Sequence, residues 1–125
     1  MKVLLIEDDP LMIRLYEKIF RKKGYEVDIA ERGIVGLTKA AEGKPNLILL
    51  DIMMPEMDGF EVLAKLVADS ATKSIPIIVL TNLAGEDDEK RALDMGAVRY
   101  VVKSEHNPDE IAGFAEEILR NTKNV

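Results

Sequence analysis

Apolar and polar positions along this chain alternate between two patterns. Five short runs read as strands, and five longer stretches carry apolar residues at helical spacing. The central run is Leu47 to Leu50 (LILL), four apolar residues without polar alternation. It is too short for a helix and suits a strand buried on both faces of a parallel sheet. Asp51 follows where that strand emerges, and Pro55 forbids its continuation. Gly59 supplies a backbone free to take positive φ before the next helical pattern.

The same logic extends to the rest of the chain. Residues 2–6 (KVLLI) form a continuous interior strand ending in Glu7, Asp8 and Asp9. Asp9 is the expected cap of a helix over 10–23, whose stripe is Met12, Tyr16, Ile19 and Phe20, and which Gly24 ends. Residues 25–30 alternate, with Tyr25, Val27 and Ile29 one way and Glu26 and Asp28 the other, as in an edge strand with one wet face. A helix over 33–42 packs Gly36, Leu37 and Ala40 inward and leaves Ile34 or Val35 partly exposed. Asp58 caps a third helix with Phe60, Leu63 and Val67 on its stripe. Residues 77–80 are another interior strand, ending at Thr81, and 99–103 are the last strand. Between them, 85–96 is helical but poor in large apolar residues. Asn107, Pro108 and Glu110 open the closing helix with a cap, a first-turn proline and a capping-box partner. Its stripe is Ile111, Phe114, Ala115 and Ile118.

Strands alternating with helices predict a doubly wound α/β fold, a five-stranded parallel sheet with helices on both faces. Interior runs one, three and four, edge-like runs two and five, and right-handed crossovers select the order 2-1-3-4-5. Residues 1–125 form one domain of that size class.

Composition narrows the function. A net charge of −6 argues against direct nucleic-acid binding by this domain. Absence of cysteine excludes disulfides and thiolate metal sites and makes the cytoplasm the natural compartment. No apolar run approaches a secretory leader or a membrane span, so no membrane partner is expected.

The predicted strand order brings the carboxyl ends of strands one and three together at the point where the winding reverses. Glu7 and Asp8 therefore face Asp51, with Thr81 and Lys103 delivered alongside. Three converging carboxylates repel one another unless a cation neutralises them. Carboxylate oxygens with no His or Cys nearby select Mg²⁺. A lysine and a hydroxyl beside such a metal provide the charge stabilisation that a transferring phosphoryl group requires. Asp51 is then the nucleophile and forms an aspartyl phosphate. Singly, Lys103 reads as a solvated edge lysine, Thr81 as a strand-end cap, and Met53 and Met54 as core filler; their joint placement favours the site. His106, the only histidine, lies in a polar loop without a partner that suggests catalysis.

IEDD at 6–9, DIMMPEMDG at 51–59, VLTN at 79–82 and YVVK at 100–103 resemble the CheY-like receiver domain of two-component response regulators. The resemblance covers essentially the whole chain and implies the flavodoxin-like form of the sheet. It implies that Glu7, Asp8, Asp51 and the backbone carbonyl of Met53 hold Mg²⁺. Asp51 would accept a phosphoryl group from a sensor histidine kinase or phosphotransfer protein, with Lys103 and Thr81 contacting the phosphate. Tyr100 matches the aromatic switch position that turns inward when Thr81 moves. The output would be read by a downstream protein target or output domain from the face around strand five and helices four and five. A homodimer formed on phosphorylation is a further partner compatible with the resemblance. Such a domain catalyses only its own phosphorylation and slow dephosphorylation.

The chain departs from the family pattern in places. Ser104 follows Lys103 where such domains usually carry proline in a cis peptide, which leaves the geometry there open. Asn82 is bulkier than the alanine or glycine often found after the threonine. Met53 and Leu83 occupy the positions that tune phosphate lifetime, and neither can orient an attacking water; slow self-dephosphorylation is expected. A flavodoxin-like electron carrier would need a hydroxyl-rich loop after the first strand. An aspartyl phosphatase would need a second carboxylate at Met53. A docking module working without phosphorylation is the remaining alternative, which the complete set Glu7, Asp8, Asp51, Thr81 and Lys103 disfavours.

Overall fold

The computed structural model describes residues 1–123. Its elements run β1 (Lys2–Ile6), α1 (Pro10–Lys22), β2 (Glu26–Ala30), α2 (Gly33–Gly43), β3 (Leu47–Leu50), α3 (Gly59–Ala68), β4 (Ile77–Thr81), α4 (Glu86–Met95), β5 (Arg99–Val102) and α5 (Pro108–Lys123). All strand pairs are parallel, in the expected order β2-β1-β3-β4-β5. The register sets Ile6 beside Leu50, Leu50 beside Val79 and Thr81 beside Val102, so the strands finish along one edge.

Two apolar cores sandwich the sheet. Leu4, Ile6, Ile48, Leu50, Ile77 and Val79 face α2, α3 and α4. Val3, Leu5, Leu47, Leu49, Ile78 and Leu80 face α1 and α5. All four residues of β3 are fully buried, each side chain contributing about 1.5–3 kcal/mol. That double burial is why its sequence shows no polar alternation.

Helix ends follow local chemistry. The Asp9 carboxylate accepts from Leu11 N–H at 3.0 Å, and the Asp58 carboxylate accepts from Glu61 N–H at 3.0 Å. Asn107 and Glu110 form the reciprocal capping box, at 2.8 and 3.2 Å.

The helix faces differ from the expected stripes by about one residue. In α1 the buried side chains are Ile13, Tyr16 and Phe20, with Met12 and Ile19 at the margin. In α5, Ala112 and Leu119 join Ile111 and Ala115 inside, while Phe114 and Ile118 lie at the edge. In α2, Gly33, Gly36 and Ala40 are buried, Leu37 is half-buried and Ile34 is exposed. Gly59 does not take positive φ; Glu56 does, at φ 68. The glycine is required for another reason: a Cβ there would stand 2.4 Å from the Asp51 carbonyl oxygen and the Ile52 Cα. β5 ends at Val102, one residue early, because Lys103–Glu105 turn into a short 3₁₀ helix. No peptide among the described residues is cis, so the Lys103–Ser104 bond is trans.

Candidate functional site

The strand ends bring the acids together. Asp51 N–H donates to the Ile6 carbonyl and Glu7 N–H to the Ala30 carbonyl, both at 3.0 Å. The ladder thus continues one step past the strands and fixes both backbones. One carboxylate oxygen each from Glu7, Asp8 and Asp51 lies within 4.8 Å of the others. Glu7 is 1% exposed and Asp51 7%.

Lys103 reaches in from the end of β5. Its Nζ stands 2.5 Å from Glu7 Oε1 and 3.4 Å from Asp51 Oδ2. Burial and Asp51 push the Glu7 carboxyl up to about 8, and the nearby ammonium offsets only part of that. Glu7 Oε2 is buried with no hydrogen-bond partner. An orphaned carboxylate oxygen facing two further carboxylates is what an oxygen-ligated divalent cation would satisfy, and no sulfur or imidazole joins the cluster. The donor set fits Mg²⁺.

The neighbouring groups are tied to the loop after β4. Thr81 is wholly buried, and its Oγ1 accepts from Leu83 N–H at 3.2 Å. The Tyr100 hydroxyl donates to the Leu83 carbonyl. Burial, then the charges of Asp88, Glu89 and Asp51, raise the Tyr100 phenol to about 12, so it remains a donor. Asp51 Oδ1 accepts from Met53 N–H at 3.0 Å, leaving Oδ2 toward Lys103.

The sequence-derived residues divide by position. Glu7, Asp8, Asp51 and Lys103 converge. Thr81 and Tyr100 are linked through Leu83 rather than to each other. Met53 is 58% exposed, whereas Met54 is buried as filler. Asn82 is exposed, and Leu83 packs partly buried against the α2–α4 core. His106 lies outside the acid cluster, against Phe114 and 3.5 Å from Glu110. Two neighbours of the site read from sequence in a different role. Gly59 braces the Asp51 backbone, and Tyr16, which reads as helix stripe, lines a groove with Lys103.

The model of the response regulator receiver domain matches residues 3–114. The chain belongs to that family. The receiver domain is 35% identical over 124 residues to the DNA-binding dual master transcriptional regulator RpaA of Synechocystis, covering 99% of this chain and 51% of that protein. It is 34% identical over 116 residues to the polar-differentiation response regulator DivK of Brucella anthropi, covering 93% and 91%. It is 39% identical over 102 residues to response regulator PleD of Caulobacter vibrioides, covering 82% of this chain and 22% of PleD. The chain thus spans about half of RpaA and less of PleD. Among solved structures it is similar to a CheY-like receiver domain protein of Methanospirillum hungatei, at TM-score 0.90 and 30% identity over 98% of this chain and 96% of that one. The BeF3-activated N-terminal receiver domain of Klebsiella pneumoniae RstA gives TM-score 0.88 and 31% identity, over 96% and 99%. Receiver domains of two-component systems are phosphoacceptors that bind Mg²⁺ at an acidic pocket and interact with histidine kinases and downstream effectors. No helix among the described residues is long and apolar enough to cross a membrane.

Proposed function

We propose that this receiver domain is a phosphorylation-dependent switch whose acceptor is Asp51. The carrying observation is the acid cluster within 4.8 Å, with the Lys103 ammonium against two of its members. Asp51 Oδ2 attacks the phosphorus of a kinase or phosphotransfer phosphohistidine; the new O–P bond forms as the P–N bond breaks, and the leaving imidazole takes up a proton. Glu7, Asp8, Asp51 and the Met53 carbonyl would hold Mg²⁺, which when bound supplies charge neutralisation for the phosphoryl oxygens. Lys103 contributes a second positive charge, and Met53 N–H keeps the carboxylate from rotating. The Thr81 hydroxyl turns to the phosphoryl group, gives up Leu83 N–H, and through Leu83 alters the anchor of Tyr100. The face around β5, α4 and α5 changes as a result and is read by a downstream target, an output domain or a second copy. A cytoplasmic setting suits the cysteine-free chain.

Incubation with Mg²⁺ and acetyl phosphate, followed by intact-mass measurement, tests this. One phosphoryl adduct is expected in the wild type and none in Asp51→Asn. A wild type that binds Mg²⁺ but takes no adduct would be a docking module independent of phosphorylation.

A further inference from the structure

Two helices of this molecule carry opposite charge and lie on opposite sides of the sheet. From Pro10 to Lys23, α1 and its cap hold five bases and one acid, in a chain whose net charge is −6. α4 holds five acids and two bases, and one of those bases, Arg91, is drawn over the Phe60 ring at 4.0 Å. α1 packs in the core that it shares with α5, and α4 packs in the other. The two charged faces therefore cannot meet within one molecule.

Each face also has an apolar part. Between α1 and the start of α5, Leu15 and Ile19 line an open groove of about 550 Å³. Lys18, Lys22 and Lys23 line it too, against one acid, Asp109. Lys23 is taken by Glu116 at 3.0 Å, whereas Lys18 and Lys22 make no ion pair among the described residues. On α4, Glu86, Glu89 and Leu93 recur at helical spacing and share a face. All three are exposed, and the two acids likewise make no ion pair among the described residues. An exposed leucine beside unpaired carboxylates is the complement of an apolar groove beside unpaired ammonium groups.

We propose that the α1–α5 groove docks α4 of a second copy of this chain, with Leu93 entering the groove and Glu86 and Glu89 meeting Lys18 and Lys22. Every copy carries both halves, so the contact is head-to-tail and can continue from copy to copy. It does not depend on Asp51 being the phosphoacceptor. In sedimentation equilibrium, the average mass of the wild type rises with concentration at about 20 mM salt and falls back toward the monomer at about 500 mM. Lys18→Glu with Lys22→Glu, and separately Glu86→Lys with Glu89→Lys, each weaken association roughly ten-fold or more, because like charges then face each other. Mixed in equal amounts, the two variants associate again: the acidic α4 of the first meets the unaltered groove of the second, and the reversed halves match as well. Recovery on mixing also shows that neither variant had simply misfolded. A wild type that stays monomeric at the lower salt overturns the proposal. So does association lost in the α4 variant but kept in the groove variant, which would mean α4 pairing with α4. Two variants that remain apart on mixing overturn it equally.

Discussion

Glu7 couples the site to pH. Its carboxyl titrates near 4.5 when unperturbed and at about 8 in the metal-free fold. Between those values the folded state binds more protons than the unfolded state, so stability is fullest at the acid end and falls as pH rises toward 8. In EDTA, the urea midpoint is expected to decline from about pH 5 to about pH 8, and Glu7→Gln to flatten the slope. Saturating Mg²⁺ should oppose the decline, since it binds only the deprotonated site. A midpoint that rises with pH in EDTA contradicts the assignment. Met53 and Asn82 are exposed, and neither Met53 nor Leu83 can steer a water. Decay of phosphoprotein after donor removal should therefore be slow, and faster in Met53→Asn with Leu83→Glu. Equal decay in the two proteins removes these positions from control of the lifetime. At this scale the sequence was most legible where residue type and strand end coincide, as at Glu7, Asp51 and Lys103. It was least legible at Tyr16, which reads as ordinary helix stripe yet lines a groove beside Lys103.

The elements differ in how firmly they are held. α4 buries only Ala92, with Met95 half-buried and Leu93 exposed. Few buried contacts give low local stability, the usual property of segments that move. Phosphorylation is expected to change amide hydrogen exchange most within 82–104, and change confined to 10–40 would sink the switch mechanism. α3 is the opposite case, packed by Phe60, Val62, Leu63 and Leu66 and started by a glycine against the Asp51 backbone. Gly59→Ala forces a methyl into backbone atoms 2.4 Å away, at a cost of about 1–3 kcal/mol. Unfolding by urea checks this, and a midpoint equal to wild type would show that the loop yields freely. The need for glycine was legible but not its cause. A sequence exposes turn chemistry, whereas close approach of two segments exists only after packing. The one-residue rotation of α1 and α5 has the same origin: periodicity locates an apolar face, and the sheet surface beneath decides which residues centre on it.

Over the whole molecule, strand order followed from burial alone. Continuous runs mark strands covered on both faces and alternating runs mark edges, and right-handed connection leaves little freedom. Because the chemistry sits at the ends of those strands, its location came with the order. The two cores carry a further consequence. Tyr100 packs into the core of α2, α3 and α4, and Thr81 continues the alternation of Ile77 and Val79, which face that same core. The α1–α5 core lies across the sheet and contains neither. In the proposed switch, rearrangement begins at Thr81 and Tyr100, across the five-stranded sheet from α1. A protein gripping α1 alone would hear of the event second-hand, through α5, with which α1 shares its core.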